Sequence, residues 1–495
     1  MTQASFVQHG MWMADREPGA AAYHMPLILH LGDEVDVGAL SDACAALVDR
    51  HALLATALAH QGGAASLVPA ETAPGLRIAG ADERVEDEIA RDFDLDRGPL
   101  IRFALFGGDL VVTAHHSVFD GHSKDVLVRD LGALREGTRL APLPPNGYAQ
   151  HAEAERWRVE RALPEARAFW QPRWSEPGPV IVRDAVLDSR RAGAGAVTES
   201  ALPKPAVPGL TTFEATMAAL HALLFSYGNS RVVTAIDLST RTPETADLIG
   251  PFVNELPLAS EPSGDLAFRQ FGLGLRAELR ELYRFREVPL ARAVARVRPY
   301  AALAPVSVSY RKRADRPRDD VRWLVFNGAV RGDLQLQLVD TGDELVSSLR
   351  YSAKAAPVAP RLVDDLARVL LAVTRNPDER LADLLTLESG RHLVEAPQAA
   401  PPGGPSAAEP TSPPGGASAA EPAGELVEAV REIWQQVLGI ERIELHDDLF
   451  ELGGHSLTIT RIIALMQERL GVDVQLDDLF DNPTIVGALD AAGLR

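Results

Sequence analysis

Two places in this sequence concentrate side chains able to do chemistry. The run His115-His116-Ser117-Val118-Phe119-Asp120-Gly121 sets two imidazoles, a carboxylate and a glycine within seven residues. An imidazole titrates near 6.5, so one held at a reacting centre can take up or release a proton close to neutrality. Adjacent residues at a strand end face opposite sides, so the two histidines cannot both point into one site. A zinc site drawn from His115, His116, Asp120 and His122 is the metal alternative, and the same alternation disfavours it. The second place is Gly453-Gly454-His455-Ser456, where two glycines allow a tight bend before a helical pattern that opens at the serine. A hydroxyl there stands beside the partial positive charge of a helix N-terminus, a setting that suits a phosphodiester. Ser456 as a plain N-cap is the bland reading. A hydrolase elbow of the Gly-x-Ser-x-Gly type fits less well, because Thr458 replaces the last glycine and no strand precedes.

The elements around the first run are legible. Residues 99–106 and 110–114 are β-favouring runs about a Gly107-Gly108-Asp109 turn, the pattern of a hairpin that delivers the histidines at a strand end. Downstream, Ser123 is a candidate N-cap and Leu127, Leu131 and Leu134 recur at helical spacing, so the seven residues form a strand-to-helix loop. Before it, 23–30 reads as a strand and 37–57 as an amphipathic helix carrying Leu40, Cys44, Leu47 and Leu54. After it come a Pro/Gly breaker at 142–147, a charged helix over 148–170, and a helix capped by Thr211 or Thr212 with Phe213, Met217, Leu220 and Leu224 on one face. Strands are expected at 231–236, 305–310, 321–326 and 334–339, and a helix at 360–374.

Composition bounds the rest. A chain of 495 residues with 46% hydrophobic content supports two or three folded units. Its net charge of −20 argues against nucleic acid or an anionic membrane as the main partner. The lone cysteine, Cys44, excludes an intrachain disulfide and lies on an apolar helical pattern. The first twenty residues hold Asp15, Arg16 and Glu17 and no apolar run of signal length, so a soluble, cytoplasmic protein is expected. From 391 to 424 the chain turns to Pro, Gly, Ala, Ser and Glu, and a motif beginning Pro-Pro-Gly-Gly recurs after twelve residues. Such a stretch cannot bury enough apolar surface to offset its ordering entropy and reads as a flexible tether. Residues 425–495 then form a small acidic helical unit, with 14 acids against five arginines.

Within that unit, Asp448-Leu449-Phe450-Glu451-Leu452-Gly453-Gly454-His455-Ser456-Leu457 resembles the modification site of peptidyl carrier proteins of nonribosomal peptide synthetases, and the resemblance extends over the whole unit. It implies a small four-helix carrier domain at 425–495, with 4'-phosphopantetheine attached covalently to Ser456 by a phosphopantetheinyl transferase.

With a carrier attached, His115 to Gly121 resembles the HHxxxDG signature of condensation domains, which have the chloramphenicol acetyltransferase-like fold. Further stretches match that family in the same order: Gln8 with Trp12, 22–26, 50–54, 147–149, Arg241, 249–257 and 288–290. The resemblance implies an α/β condensation domain over 1–390, two α/β halves (about 1–175 and 176–390) meeting in a V along a tunnel. By family position His116 is the catalytic group near the acceptor amine, as a base or by positioning it, and His115 is then structural. Asp120 pairs with Arg241 across the halves, and the Gly121 N–H is a candidate to face the thioester oxygen. The reaction implied is attack of an acceptor amine on a carrier-bound acyl thioester. No Gly/Ser/Thr-rich phosphate loop followed by lysine occurs in these residues, so an adenylation enzyme acting in trans is expected to load Ser456. An upstream donor carrier protein and a downstream synthetase or releasing enzyme are the other implied partners. Ester formation, a soluble acceptor, epimerisation and a non-catalytic carrier-presenting scaffold are alternatives. Glu255 stands where the family often has threonine, which bears on substrate class rather than fold.

Overall fold

The computed structural model describes residues 2–16, 19–61, 64–144, 147–313, 320–384, 424–450, 452, 454 and 456–494. They divide between two compact units, Met1–Glu388 and Ser389–Arg495. The tether expected at 391–424 lies, apart from Gly424, outside the described residues.

The β-branched residues of 110–114 do form a hairpin. Strands Ile101–Phe106 and Asp109–His115 pair antiparallel, and His24–His30 lies on the other side of Asp109–His115. The full sheet runs Val321–Arg322, His24–His30, Asp109–His115, Ile101–Phe106, Leu76–Ile78. Val321–Arg322, late in the chain, thus completes the edge of a sheet made by early residues. Lys124 reinforces that join: its buried ammonium donates to the carbonyls of Pro26 at 2.7 Å and Trp323 at 2.8 Å. The helix expected over 37–57 stops at Arg50 and gives way to a 3-10 turn, Ala52–Ala55, and a strand, Thr56–Gln61. Its end coincides with His51, whose imidazole bonds the Asp130 carboxylate at 2.9 Å rather than facing solvent. Cys44 is buried in that helix, and burial pushes its thiol up to about 12.

The second sheet has seven strands in the order Val253–Ser260, Val232–Ser239, Val306–Lys312, Leu334–Asp340, Leu345–Ser352, Ala192–Leu202, Ala329–Arg331. Its register gives it two unlike faces. Ile236, Leu256, Val308, Leu336 and Leu349 share one face and are buried beneath helices Thr212–Ser226, Phe268–Tyr283 and Ala359–Arg375. His221 of the first of these helices bonds Thr234 of that face at 2.9 Å. The other face carries Asp237, Ser309, Arg311, Gln335 and Gln337 at the alternate positions.

In the second unit, helices Gly424–Leu438, Ser456–Leu470, Leu476–Asp481 and Ile485–Ala491 bury Trp434, Ile462, Met466 and Leu489. The last helix starts at Ile485, two residues after Pro483, with Thr484 as its cap. No helix of the described residues is long and apolar enough to cross a membrane.

Candidate active site

Strand Asp109–His115 ends on a fully buried His115, and His116 opens a short 3-10 turn, His116–Val118. The Nδ1 of His115 accepts from the Ser117 backbone N–H at 3.2 Å and lies 2.7 Å from the Ser117 hydroxyl. The ring proton therefore sits on Nε2, which faces the Asp15 carboxylate 3.4 Å away. Tyr23 and Phe93 flank the ring at 6.1 and 5.9 Å between centroids. His115 is enclosed by the protein on every side, with Nε2 buried and making no hydrogen bond.

His116 differs in every respect. It is half-buried, and its Nδ1 lies 2.8 Å from the Phe119 carbonyl. A carbonyl oxygen only accepts, so Nδ1 carries the proton and Nε2 presents a lone pair. Burial lowers the imidazole below its ordinary 6.5, against the opposing pull of the Asp120 carboxylate. At neutral pH the side chain is thus a neutral hydrogen-bond acceptor.

Asp120 caps helix Gly121–Arg135 in place of the expected Ser123. Its Oδ1 accepts from the Ser123 N–H at 2.7 Å and hydroxyl at 2.8 Å, and from Arg241 at 2.8 Å. Oδ2 accepts from Arg241 Nε at 3.3 Å and the Phe252 N–H at 3.1 Å. Burial alone would raise this carboxyl, but the guanidinium and the Ser123 bonds hold it below the usual carboxylate range. Arg241 is almost as buried as Asp120; it also donates to the Thr245 and Leu248 carbonyls, each at 2.8 Å, and stacks over Phe252 at 4.2 Å. Gly121 is the first residue of the helix, its carbonyl accepts from the Arg311 guanidinium, and a Cβ on it would lie 3.6 Å from the Arg311 side chain.

Distant residues fix this loop. Gln8, itself locked in a capping box with Ser5, donates to the Ser117 carbonyl at 2.9 Å. The Tyr148 hydroxyl donates to the Pro251 carbonyl at 3.3 Å, and its ring lies so close to Gly250 that a Cβ there would fall 2.2 Å from it. Ser123 bonds Gly250 at its carbonyl (3.1 Å) and N–H (3.0 Å), and Arg311 joins the loop to the second sheet. The Asp-x-x-Ser spacing was the available signal for Ser123, whereas Arg311 had none. His122 turns away to the Ala246 carbonyl at 3.0 Å, and among the described residues no group of three or more His, Cys, Asp or Glu could hold a metal ion.

In the second unit, helix Ser456–Leu470 begins at Ser456. Gly454 donates to the Leu449 carbonyl at 2.8 Å, and a Cβ on it would lie 2.6 Å from that oxygen, so only glycine fits the turn into the helix. Glu451, Gly453, His455 and the Ser456 side chain lie outside the described residues. A 15-residue helix opening at a serine after a forced glycine fits a phosphodiester-linked group there.

The condensation-domain family model matches residues 1–392, and the phosphopantetheine attachment site model matches 428–491. Phosphinothricin tripeptide synthetase PhsC of Streptomyces viridochromogenes is 31% identical over 457 residues, covering 80% of this chain and 42% of its own length. Chondramide synthase cmdD of Chondromyces crocatus is 27% identical over 452 residues, covering 79% of this chain and 11% of its own. The chain thus spans less than half the length of these relatives. Among solved structures, the first condensation domain of the calcium-dependent antibiotic synthetase, in complex with a substrate analogue, aligns with a TM-score of 0.64 at 20% identity over 77% of this chain and 98% of its own. The teicoplanin X-domain in complex with OxyB aligns at 0.62 and 24% identity, over 77% and 95%. The attachment domain is the site of covalent 4'-phosphopantetheine. The loop built on His116, the fold beneath it and the carrier unit that follows lead to one statement: the chain belongs to the condensation-domain family of nonribosomal peptide synthetases, peptide-bond-forming acyltransferases, and bears a phosphopantetheine attachment domain.

Proposed function

We propose that the chain forms an amide between a donor acyl thioester on an upstream carrier and an acceptor amine carried at its own Ser456, loaded by an adenylation enzyme acting in trans. One observation carries the catalytic assignment: the Phe119 carbonyl fixes the proton of His116 on Nδ1 and leaves Nε2 as an acceptor. An α-amine titrates near 7.7 to 8.0, above an imidazole held below 6.5, so His116 is too weak a base to deprotonate a resting ammonium fully. It is well matched to orient a neutral amine through its N–H and to take that proton once the nitrogen bonds to carbon and becomes more acidic. Asp120 and Arg241 hold the loop in register across the two sheets, and His115 acts through packing. The Gly121 N–H, in the first helical turn, is free of the i−4 ladder and suits the thioester oxygen.

Ser456 serves as the attachment point. The phosphopantetheine group supplies, when attached, the thiol that holds the acceptor as a thioester. The helix N-terminus at Ser456 favours the adjoining phosphodiester.

The test is intact-protein mass spectrometry. Phosphopantetheinylated chain, loaded with an aminoacyl group, is mixed with a loaded donor carrier; the expected result is a mass gain equal to the donor acyl group on the Ser456 arm. Full transfer by a His116→Ala variant would overturn the assignment, and loading of a Ser456→Ala variant would move the attachment point elsewhere.

A further inference from the structure

The polar face of the seven-stranded sheet confronts the His116 loop, since Arg311 on that face reaches the Gly121 carbonyl and, at 2.8 Å, the Asp125 carboxylate. On the same face Asp237 stands directly across from Glu255, two carboxylates at one register position. Like charges so placed repel, and something must offset them. Glu255 has its partners: Arg331 at 2.9 Å and the Leu303 N–H at 3.0 Å. Asp237 accepts from the Ser309 hydroxyl and shares the field of Arg331, but among the described residues no ion pair to it is formed. Burial, with Glu255 adding to it and Arg331 and Ser309 opposing it, pushes this carboxyl up to about 7. A second observation points the same way. Ser307, two residues before Ser309 on that face and paired with Ala235, is only 6% exposed, and its hydroxyl has no hydrogen-bond partner among the described residues. Two carboxylates thus share one guanidinium, and on the same face lies a buried hydroxyl whose hydrogen-bonding capacity is unused.

We propose that Asp237, with Glu255 and Ser307 beside it, forms a subsite for a cationic group, an ammonium or guanidinium, on a side chain of one of the thioester-borne substrates; this rests on the amide-forming reading above. Asp237 lies four residues before Arg241, and an extended chain spans on the order of 13 Å in that interval. Asp237 stands on the sheet face and not in the His116 loop, so the subsite is assigned to a substituent of the substrate rather than to the amine that attacks. The ammonium donates to the Asp237 carboxylate and the Ser307 hydroxyl, while Arg331 keeps Glu255 neutralised.

The full chain, with Ser456 unmodified, is titrated calorimetrically with hydrolysis-resistant pantetheine amides of lysine and of norleucine, as acceptor mimics, and with the Nα-acetyl forms of both, as donor mimics. In at least one pair the lysine compound should bind tenfold or more tighter, and Asp237→Asn, nearly isosteric, should reduce that preference below twofold. Equal affinity within both pairs overturns the proposal and needs no variant; so does a lysine preference that survives in Asp237→Asn. His116→Ala should keep the preference. A preference without amide formation from any donor supports the subsite and sinks the reaction, whereas amide formation without a preference does the reverse.

Discussion

At the scale of single residues, the difference between His115 and His116 is a difference in hydrogen-bond direction. His115 accepts at Nδ1 and keeps its proton on a buried Nε2 that makes no hydrogen bond; His116 donates at Nδ1 to Phe119 and offers a lone pair. Removing that lone pair in His116→Ala is expected to lower the transfer rate by about 10²- to 10⁴-fold, read in single-turnover mass spectrometry, with little change in donor binding. The pH profile carries the sign. Because the folded imidazole titrates below 6.5, the neutral, active form persists to lower pH than in a free histidine. With an acyl hydrazide acceptor, whose nitrogen stays unprotonated, the rate should rise through a midpoint below 6.5 and then stay flat; a midpoint above 6.5 would contradict the burial argument. A protonated amino acceptor adds a second rise near 8. The type and spacing of His115, His116, Asp120 and Gly121 were legible as a motif. The tautomers were not, since they depend on Asp15 and on the local turn at Phe119. Asp237 was silent because a lone acid in an alternating strand carries no marker until its cross-strand neighbour is known.

At the scale of elements, the loop is a clasp between a helix N-terminus and a strand end. Asp120 caps helix Gly121–Arg135 and binds Arg241, which follows strand Val232–Ser239. Both partners are buried, so removing one leaves a charge without compensation. Asp120→Ala is expected to destabilise the first unit by about 3 to 5 kcal/mol in chemical denaturation, with Arg241→Ala similar and the double variant well short of their sum. The carboxyl is depressed in the folded state, so its contribution is present above its unfolded value near 3.9 and is lost as the pH falls toward the folded one. Asp120→Asn should accordingly flatten the loss of stability below pH 4. Gly250→Ala probes the same clasp from the other side, because its Cβ would displace the Tyr148 ring; about 1 to 3 kcal/mol and a slower transfer are expected, and an unchanged melting curve would show that the ring moves freely. Sequence patterning located the hairpin and the helices with strong periodicity. It passed over Ala192–Leu202, whose alanines and glycines give no strand signal and which pairs only because Leu345–Ser352 and Ala329–Arg331 offer it edges. It also overran the helix at Arg50, where the bond from His51 to Asp130 is a tertiary contact invisible to local pattern.

At the scale of the whole molecule, the question is how a group on the second unit reaches a loop on the first. The separation into two compact units was legible from the abrupt change to Pro, Gly, Ala and Ser after residue 390. As the flexible tether expected from composition, the 34 residues from 391 to 424 would have a root-mean-square span of about 30 Å. Attachment through it fixes an effective concentration in the millimolar range, which falls as roughly the −3/2 power of length until the tether becomes too short to span. The near-repeat makes this testable without disturbing either unit. Deleting residues 401–412 shortens the mean span by only about a fifth, because it varies as the square root of length, and transfer to the chain's own Ser456 arm should change less than twofold. Deleting 401–423 leaves the ten residues 391–400 before the helix at Gly424, a span of about 17 Å, and intramolecular transfer should fall by an order of magnitude or more. Free carrier unit added at millimolar concentration should then restore the rate, because the His116 loop is intact and only delivery was removed. Retention of the full rate with ten residues would show that delivery does not depend on reach, and loss that free carrier cannot rescue would place the defect in the first unit itself.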